Sequence, residues 1–264
     1  MDLRSVKSNI IKVSMIGISL LVLAYFIILE IIVLYEAGLV NIVTSIKDLE
    51  ILSSLLLSLF TATISSLLSM LLIIPLGYLY MKDNRKVNRL SDGIFSSINS
   101  VPPIVLGLSI LILFGKHYLG GFFSSVGMKI LFTKFAIVIA QVAVVLPMGY
   151  VEFSNCLRNV DDKYILTAKG YGADDLFIYM RIILPEIFQS IKSIVLLMWA
   201  KAIGHFGAVV MVVGVTSFKT EVLPSTVFLN ISCGDLDKSL AAGAIMIIIS
   251  NIISILMLKG RRSK

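Results

Sequence analysis

Few residues in this 264-residue chain could do chemistry, and two of them stand four apart inside an apolar stretch. Lys201 and His205 lie in Met198-Trp199-Ala200-Lys201-Ala202-Ile203-Gly204-His205-Phe206-Gly207-Ala208. On a helix, a spacing of four puts both on one face. A full positive charge with an imidazole one turn away is suited to attracting an anion. No Asp or Glu stands within four positions of Lys201 to neutralise it. In a continuous membrane span this lysine would sit about eight residues in, roughly 12 Å deep at 1.5 Å per residue. A charge at that depth pairs, snorkels or faces water. The plainer alternatives are a snorkelling lysine and a histidine used for packing. Ala200, Gly204 and Ala208 also repeat every four residues, and such a stripe lets two helices approach closely. A second candidate is Val101-Pro102-Pro103. Successive prolines remove two backbone donors and break a helix. In lipid a break survives only inside protein or beside a water-filled path. A simple kink between packed helices is the other reading of Pro102 and Pro103.

Other chemistry is missing. There is no Gly-rich phosphate loop, no serine–histidine–acid order and no HExxH, so the chain is not expected to be an enzyme. Cys156 and Cys233 lack metal-ligand spacing, and they are expected on opposite sides of a membrane, so no disulfide is expected between them. No cofactor or metal is expected on this chain. The net charge of +7 is concentrated in particular loops, which does not point to nucleic acid.

The elements that must position these residues are membrane helices. The chain is 58% hydrophobic and only 15% charged, and its charges are segregated between long uncharged runs. That is the pattern of a polytopic membrane protein in contact with lipid, all-α because lipid leaves no other choice for open-chain spans. Six spans are expected, near 10–35, 51–81, 94–114, 135–151, 193–215 and 239–258. The first begins too late and runs too long for a signal peptide. Glu30 in that span is expected close to the interface rather than in a proton relay. The second span carries no charge but many Ser and Thr, whose hydroxyls can bond their own helix or a neighbour, and Pro75 and Gly77 suggest a bend near its end. The fourth contains Gln141 and Pro147. Fifteen basic residues fall at one set of span ends (around 4–7, 82–89, 158–192 and 259–264) and six at the other. By the positive-inside rule both termini and the 158–192 loop are expected in the cytoplasm. The expected divisions are an N-terminal helix and external loop at 1–50, a transmembrane domain at 51–258 and a basic tail at 259–264.

One polar stretch interrupts the apolar runs, from Asp161 to Pro185. Val160, Tyr164, Ile165, Ala168 and Tyr171 form one helical stripe. Asp161 is suited to cap its start, and Gly172 to end it in the left-handed conformation. Asp174 and Asp175 then start a second helix with a stripe at Leu176, Phe177, Met180, Ile183 and Leu184, which Pro185 stops or bends. The expectation is helix, glycine turn, helix at a membrane edge.

That stretch resembles the cytoplasmic loop of ABC importer permeases. The family motif is Glu-Ala-Ala, three residues, Gly, nine residues, then Ile-x-Leu-Pro. Leu166-Thr167-Ala168 stands in the first place, Gly172-Ala173 follows at the glycine, and Ile182-Ile183-Leu184-Pro185 closes it. Leu166 and Thr167 depart from the usual Glu and Ala. The resemblance implies that this loop docks into a separate ATPase subunit, which would hold the ATP and Mg. Residues from about Ile51 onward also resemble the permeases for molybdate, tungstate and sulfate. Gly204-His205-Phe206-Gly207-Ala208 matches a Glu-Phe-Gly-Ala run, with His205 replacing the Glu. Lys219-Thr220-Glu221-Val222-Leu223-Pro224 and Val101-Pro102-Pro103-Ile104-Val105-Leu106-Gly107 extend the likeness. It implies a permease subunit in a cell membrane, paired with a second copy, two ATPase subunits and an external binding protein. The implied cargo is a tetrahedral oxyanion, molybdate or tungstate before sulfate, phosphate or another anion. A channel or enzyme that needs no ATPase is the rival class. Lys201, His205, Pro102 and Pro103 are the expected translocation path.

Overall fold

The computed structural model describes residues 3–82 and 85–261, with side chains placed for 11–82 and 86–256. Beyond the backbone as far as Arg261, the basic tail lies outside the described residues. The described chain is helical, with no strand. Four helices are long and apolar enough to cross a membrane, and two bent helix pairs can each serve as one more, which makes six.

The first helix, α1 (Leu3–Ala37), is exposed along every side from Ile11 to Ile32. A helix apolar all round suits lipid and has no face reserved for a core. It packs mainly along α14 (Leu236–Arg261) and the short α2 (Leu39–Ser45). Glu30 accepts a 3.0 Å hydrogen bond from the Asn251 amide of α14, so its side chain ties the two helices together.

The centre is built from α3 (Leu49–Met81), α7 (Lys134–Arg158) and α11 (Phe188–Ile203). Asp48 caps α3 and Thr133 caps α7, each accepting a backbone N–H in the first turn. Helix α3 carries Ser54, Ser58, Thr61, Ser65 and Ser69, all buried, and the Ser65 hydroxyl meets Gln141 of α7. Small hydroxyls allow close approach, and Ser54 and Thr61 donate back to their own helix at Ile51 and Leu57. Helix α3 continues through Pro75.

Two of the expected spans are broken. The segment expected as 94–114 is α4 (Arg85–Ser100) followed by α5 (Pro103–Leu113), turned by 106° at Val101-Pro102. This is far more than a kink. Pro103 sits at the first helical position, where its missing N–H costs nothing, and Pro102 cannot donate back to α4. The span expected as 193–215 instead ends at Gly204. A new helix, α12 (Gly207–Val213), starts after His205-Phe206. The short α6 (Leu119–Ser125) connects α5 to α7.

Helices α5 and α12 run side by side against the first half of α7. A Cβ on Gly107 would stand 2.6 Å from the Ala208 carbonyl oxygen, so glycine is needed for that approach. The close contact therefore uses Gly107 and Ala208. Gly204, expected in the same stripe, meets only carbonyls of its own helix.

Lys219–Pro224, which falls between the expected spans 193–215 and 239–258, is mostly inside. Residues 220 to 226 are all buried, leading into α13 (Leu223–Cys233). The Leu223 N–H donates to the Ser58 hydroxyl of α3 at 2.8 Å, which pins the start of α13 in the interior. Cys156 and Cys233 form no disulfide.

Candidate functional site

Two regions collect the expected functional residues. The first is the polar stretch. Asp161 caps α8 (Asp162–Gly170) through the Lys163 N–H, and Asp174 caps α9 (Asp175–Ile178) through the Phe177 N–H. Gly172 has φ of +81°, and the turn is closed by Gly172 N–H to Lys169 O and Ala173 N–H to Ala168 O. That pair of bonds is a Schellman motif. Lys169 and Asp175 form a 3.2 Å ion pair across it. The expected helix–glycine–helix is thus present.

Its stripes differ from the sequence pattern. Val160, Ile165, Ala168 and Ala173 pack on the core, but Tyr164 and Tyr171 are exposed, as are Leu166 and Thr167. In the second helix Ile178, Tyr179 and Ile183 are buried, while Leu176, Phe177 and Met180 face out. A π-helical turn follows at Tyr179–Ile183. One extra residue in a turn rotates everything beyond it, so a 3.6-residue stripe does not hold across the segment. Ile182 and Leu184 are half-buried against the core, and Pro185 is exposed in α10 (Leu184–Glu186). From Asp175–Glu186 to α11 the axis turns by 71°. The result is a two-helix projection that leaves apolar Tyr164, Leu166, Tyr171, Leu176, Phe177 and Met180 exposed.

The base of this projection is tied to the membrane helices. Arg158, the last residue of α7, donates to the Tyr80 hydroxyl of α3 at 2.6 Å and to Asp92 of α4 at 2.5 Å. The Tyr179 hydroxyl donates to the Ile74 carbonyl at 2.6 Å. A recess of about 670 Å³ beside Arg158 is lined by Arg89, Lys169 and Asp92.

The second region is where the two broken spans meet. Lys201, His205, Pro102 and Pro103 all line one cavity of about 410 Å³. The Asn99 amide and the Ser100 hydroxyl join them, and Val144 and Met148 of α7 form its apolar floor. The cavity lies near the middle of α7 and opens to the outside of the single chain, where Lys201, Ser100, Pro102 and Pro103 are exposed. Among the described residues, Lys201 is the one charged residue on its wall. The break changes the setting of Lys201. It stands in the last turn of α11, where a cation faces the negative end of the helix dipole, an interaction worth roughly 0.3–1 kcal/mol.

A helix that ends inside protein leaves orphan carbonyls. Here side chains satisfy two of them. The Nδ1 of His205 is 2.9 Å from the Lys201 carbonyl oxygen. The Gln141 amide of α7 donates to the Ala202 carbonyl at 3.1 Å and accepts from the Ser65 hydroxyl of α3 at 2.8 Å. Gln141 thereby ties α3, α7 and α11 together at the break. Sequence reasoning placed Gln141 in a span and gave it no task; a lone amide in an apolar run was its only signal. The His205 ring is 9% exposed, and its Nε2 has no partner.

A third cluster was not foreseen. Lys238 of α14 bridges Asp48 at 3.0 Å and Glu50 at 3.6 Å, and the Ser217 hydroxyl donates to Glu50 at 3.0 Å. The Lys238 hydrogen bond holds Asp48 below the usual carboxylate range. Beside them Glu221 is buried, and neither carboxylate oxygen has a hydrogen-bond partner.

The chain can now be compared with known proteins. A family model described as the binding-protein-dependent transport system inner membrane component matches residues 69–259. The molybdenum transport system permease protein ModB of Mycobacterium tuberculosis is 26% identical over 202 residues, which is 76% of each chain. The tungstate uptake system permease protein TupB of Peptoclostridium acidaminophilum is 26% identical over 203 residues, 77% of this chain and 86% of its own. The sulfate transport system permease protein CysW of Synechocystis is 36% identical over a shorter stretch of 126 residues, 47% of this chain and 46% of its own. Among solved structures, a bacterial alginate ABC transporter in complex with a periplasmic protein superposes with a TM-score of 0.76 at 13% identity, covering 96% of this chain and 94% of that one. At that identity the likeness shows the fold alone.

Proposed function

This chain belongs to the family of binding-protein-dependent transport system inner membrane components, and from that premise we propose that it passes a tetrahedral oxyanion, molybdate or tungstate, across the cell membrane. It is the permease subunit of an ABC importer, and ATP hydrolysis belongs to a separate subunit. The observation that carries the oxyanion reading is the cavity at the two breaks. It combines one lysine, an imidazole, a hydroxyl and an amide with an apolar floor, and contains no acid. Such a set attracts an anion weakly and releases it, as a path requires and a storage site does not. The names of the molybdenum and tungstate relatives support the cargo class. Sulfate is the second reading, supported by the 36% identical stretch of the sulfate permease.

The rest of the mechanism follows from the frame. Two copies facing each other would close the open side of the cavity and place both Lys201 side chains along one axis. Each copy would dock one ATPase through the exposed tip at Leu166, Tyr171, Leu176 and Phe177. Movement of that tip reaches the cavity by short routes: Arg158 grips α4, which ends at Ser100, and the π turn leads through α10 into α11, whose last turn carries Lys201. Alternating access is then a rigid movement of α4 and α11 against α7. An external binding protein would deliver the anion.

Lys201→Met tests this reading. It keeps length and apolar bulk and removes the charge. With the ATPase and the loaded binding protein in vesicles, uptake of molybdate should fall about ten-fold or more, equivalent to about 1.4 kcal/mol of lost attraction. Assembly and basal ATP hydrolysis should be unchanged. Uptake at the wild-type rate would leave Lys201 a snorkelling residue. Competition among molybdate, tungstate and sulfate for the same uptake separates the two cargo readings.

A further inference from the structure

A second groove, of about 510 Å³, lies between α3, α11 and α14. It is lined along α3 from Leu55 to Leu67, by Leu196 and Trp199 of α11 and by Ile252 and Leu256 of α14. Its wall exposes no polar surface. The polar groups along it are already bonded: the Trp199 indole N–H donates to the Thr63 hydroxyl at 2.8 Å, that hydroxyl donates to the Leu59 carbonyl at 2.7 Å, and Ser66 donates to the Thr63 carbonyl at 3.0 Å. In a membrane such a wall suits hydrocarbon and gives a polar ligand nothing to bond. Leu55 and Leu67 stand about 18 Å apart along the helix axis. That is close to the roughly 15 Å of hydrocarbon in one leaflet, half of a core about 30 Å thick. Spread over that length, the volume has a section of about 28 Å², whereas a helix with its side chains is about 10–12 Å across. An acyl chain fits into this groove and a helix does not.

The groove also has a charged end. Phe188, Lys192, Val195, Leu196 and Trp199 follow one stripe of α11, at spacings of three and four. Lys192 therefore stands one turn from the apolar wall, toward the start of α11 and the polar stretch 161–185. It is exposed, and its ammonium lies 4.5 Å from the centre of the Phe188 ring. No Asp or Glu stands within four positions of it, and among the described residues it forms no ion pair. An open positive charge at the end of a carbon-lined groove complements a molecule with an anionic head and a hydrocarbon tail. We propose that this groove binds an anionic phospholipid, with the phosphate at Lys192 and one acyl chain along Leu196, Trp199 and the Leu55–Leu67 face of α3. The lipid comes from the leaflet beside the polar stretch, on the side expected to be cytoplasmic. Bound there, it fills the space between three helices and touches α11 two residues before Lys201. The site is independent of which anion the cavity passes.

Trp199 is the one tryptophan of the chain and lines the groove, so it reports contact with an acyl chain directly. The test places the full-length permease in phosphatidylcholine vesicles. Increasing fractions of phosphatidylglycerol or of phosphatidylcholine with brominated acyl chains are then added; bromine quenches indole fluorescence on contact. Half-maximal quenching should need about five-fold less brominated phosphatidylglycerol than brominated phosphatidylcholine, the ratio that corresponds to about 1 kcal/mol of attraction by one basic residue. Lys192→Gln should make the two lipids equal, and Lys192→Arg should keep the difference. Val195→Phe narrows the groove one turn from Trp199 and leaves Lys192 in place; it should cut quenching by the brominated anionic lipid by about two-fold or more. Equal quenching by both lipids in the wild type would make the groove ordinary lipid contact and overturn the proposal. A preference that survives Lys192→Gln, or quenching untouched by Val195→Phe, would overturn it as well. Quenching by neither lipid would mean that protein covers the groove, for example a helix of a second copy, and would likewise overturn it.

Discussion

Glu221 is 1% exposed, and both its oxygens lack a partner. Burial pushes its pKa up; the nearby Thr226 and Ser217 hydroxyls and Lys238 offset part of that, and Glu50 adds to it. A carboxyl raised in this way favours folding while protonated. The contribution is complete below the ordinary glutamate range and is lost as pH rises through the raised value. Glu221→Gln mimics the protonated form at every pH. Its melting temperature should therefore equal that of the wild type near pH 4.5 and exceed it by about 2–4 °C at pH 8, for a relief of about 1 kcal/mol. A variant less stable at pH 8 would show that the carboxylate is satisfied in the working protein. At this scale the sequence was readable where a charge stands out against apolar neighbours, as at Lys201. It was not readable at Glu221, because Lys-Thr-Glu next to Leu-Pro has the look of an exposed loop. Only the bond from Leu223 to Ser58, 165 positions away, draws it inside. Gln141 escaped for the same reason, since its partners lie on two other helices.

Gly172 shows what could be read at the level of the element. Caps, a glycine and a proline in the right order described a two-helix projection, and that is what stands there. A Cβ on Gly172 would meet nothing within 4 Å, so any substitution cost comes from its positive φ and not from a clash. That permits a graded test. Asn tolerates the left-handed region, Ala pays about 1 kcal/mol and Val more. Substrate-stimulated ATP hydrolysis by the partner should fall in the order Gly, Asn, Ala, Val, while each variant inserts normally. Equal stimulation in all four would mean that the turn is not the joint between the two subunits. The helix breaks were half legible. Pro102-Pro103 announces one, because a missing donor is a local fact. Gly204-His205-Phe206 does not, because each residue is compatible with a helix and the break is made by what caps it. The π turn at Tyr179–Ile183 was invisible, since a pattern of period 3.6 assumes the period it reads.

At the scale of the whole molecule the basic residues set the expected orientation: fifteen at the ends expected inside, six at the others. Hydropathy finds the long uncharged runs, but four helices are long enough to cross and six result only if each bent pair is one span; the fifth such span is Asp175–Glu186 with Phe188–Ile203, not the run expected at 193–215. Which helices touch was not in the pattern, because α5 with α12 and α3 with α7 pair across long stretches of sequence. The structure also changes where orientation can be tested. In a background without Cys156 and Cys233, single cysteines at Phe218 and Lys219, both exposed, should react with a membrane-impermeant thiol reagent added to whole cells. Cysteines at Lys86 and Arg89, exposed at the opposite end, should react only in inside-out vesicles. Cysteines at Thr220 and Leu223 should react from neither side until the protein is unfolded, because both positions are buried against α3 and its neighbours. Reaction of Lys86 and Arg89 in whole cells would invert the membrane orientation and put the apolar tip of Leu166, Tyr171 and Phe177 where no ATP is available. Reaction of Thr220 from outside, with Phe218 also labelled, would keep the orientation but return this segment to the surface, and the buried setting of Glu221 would go with it.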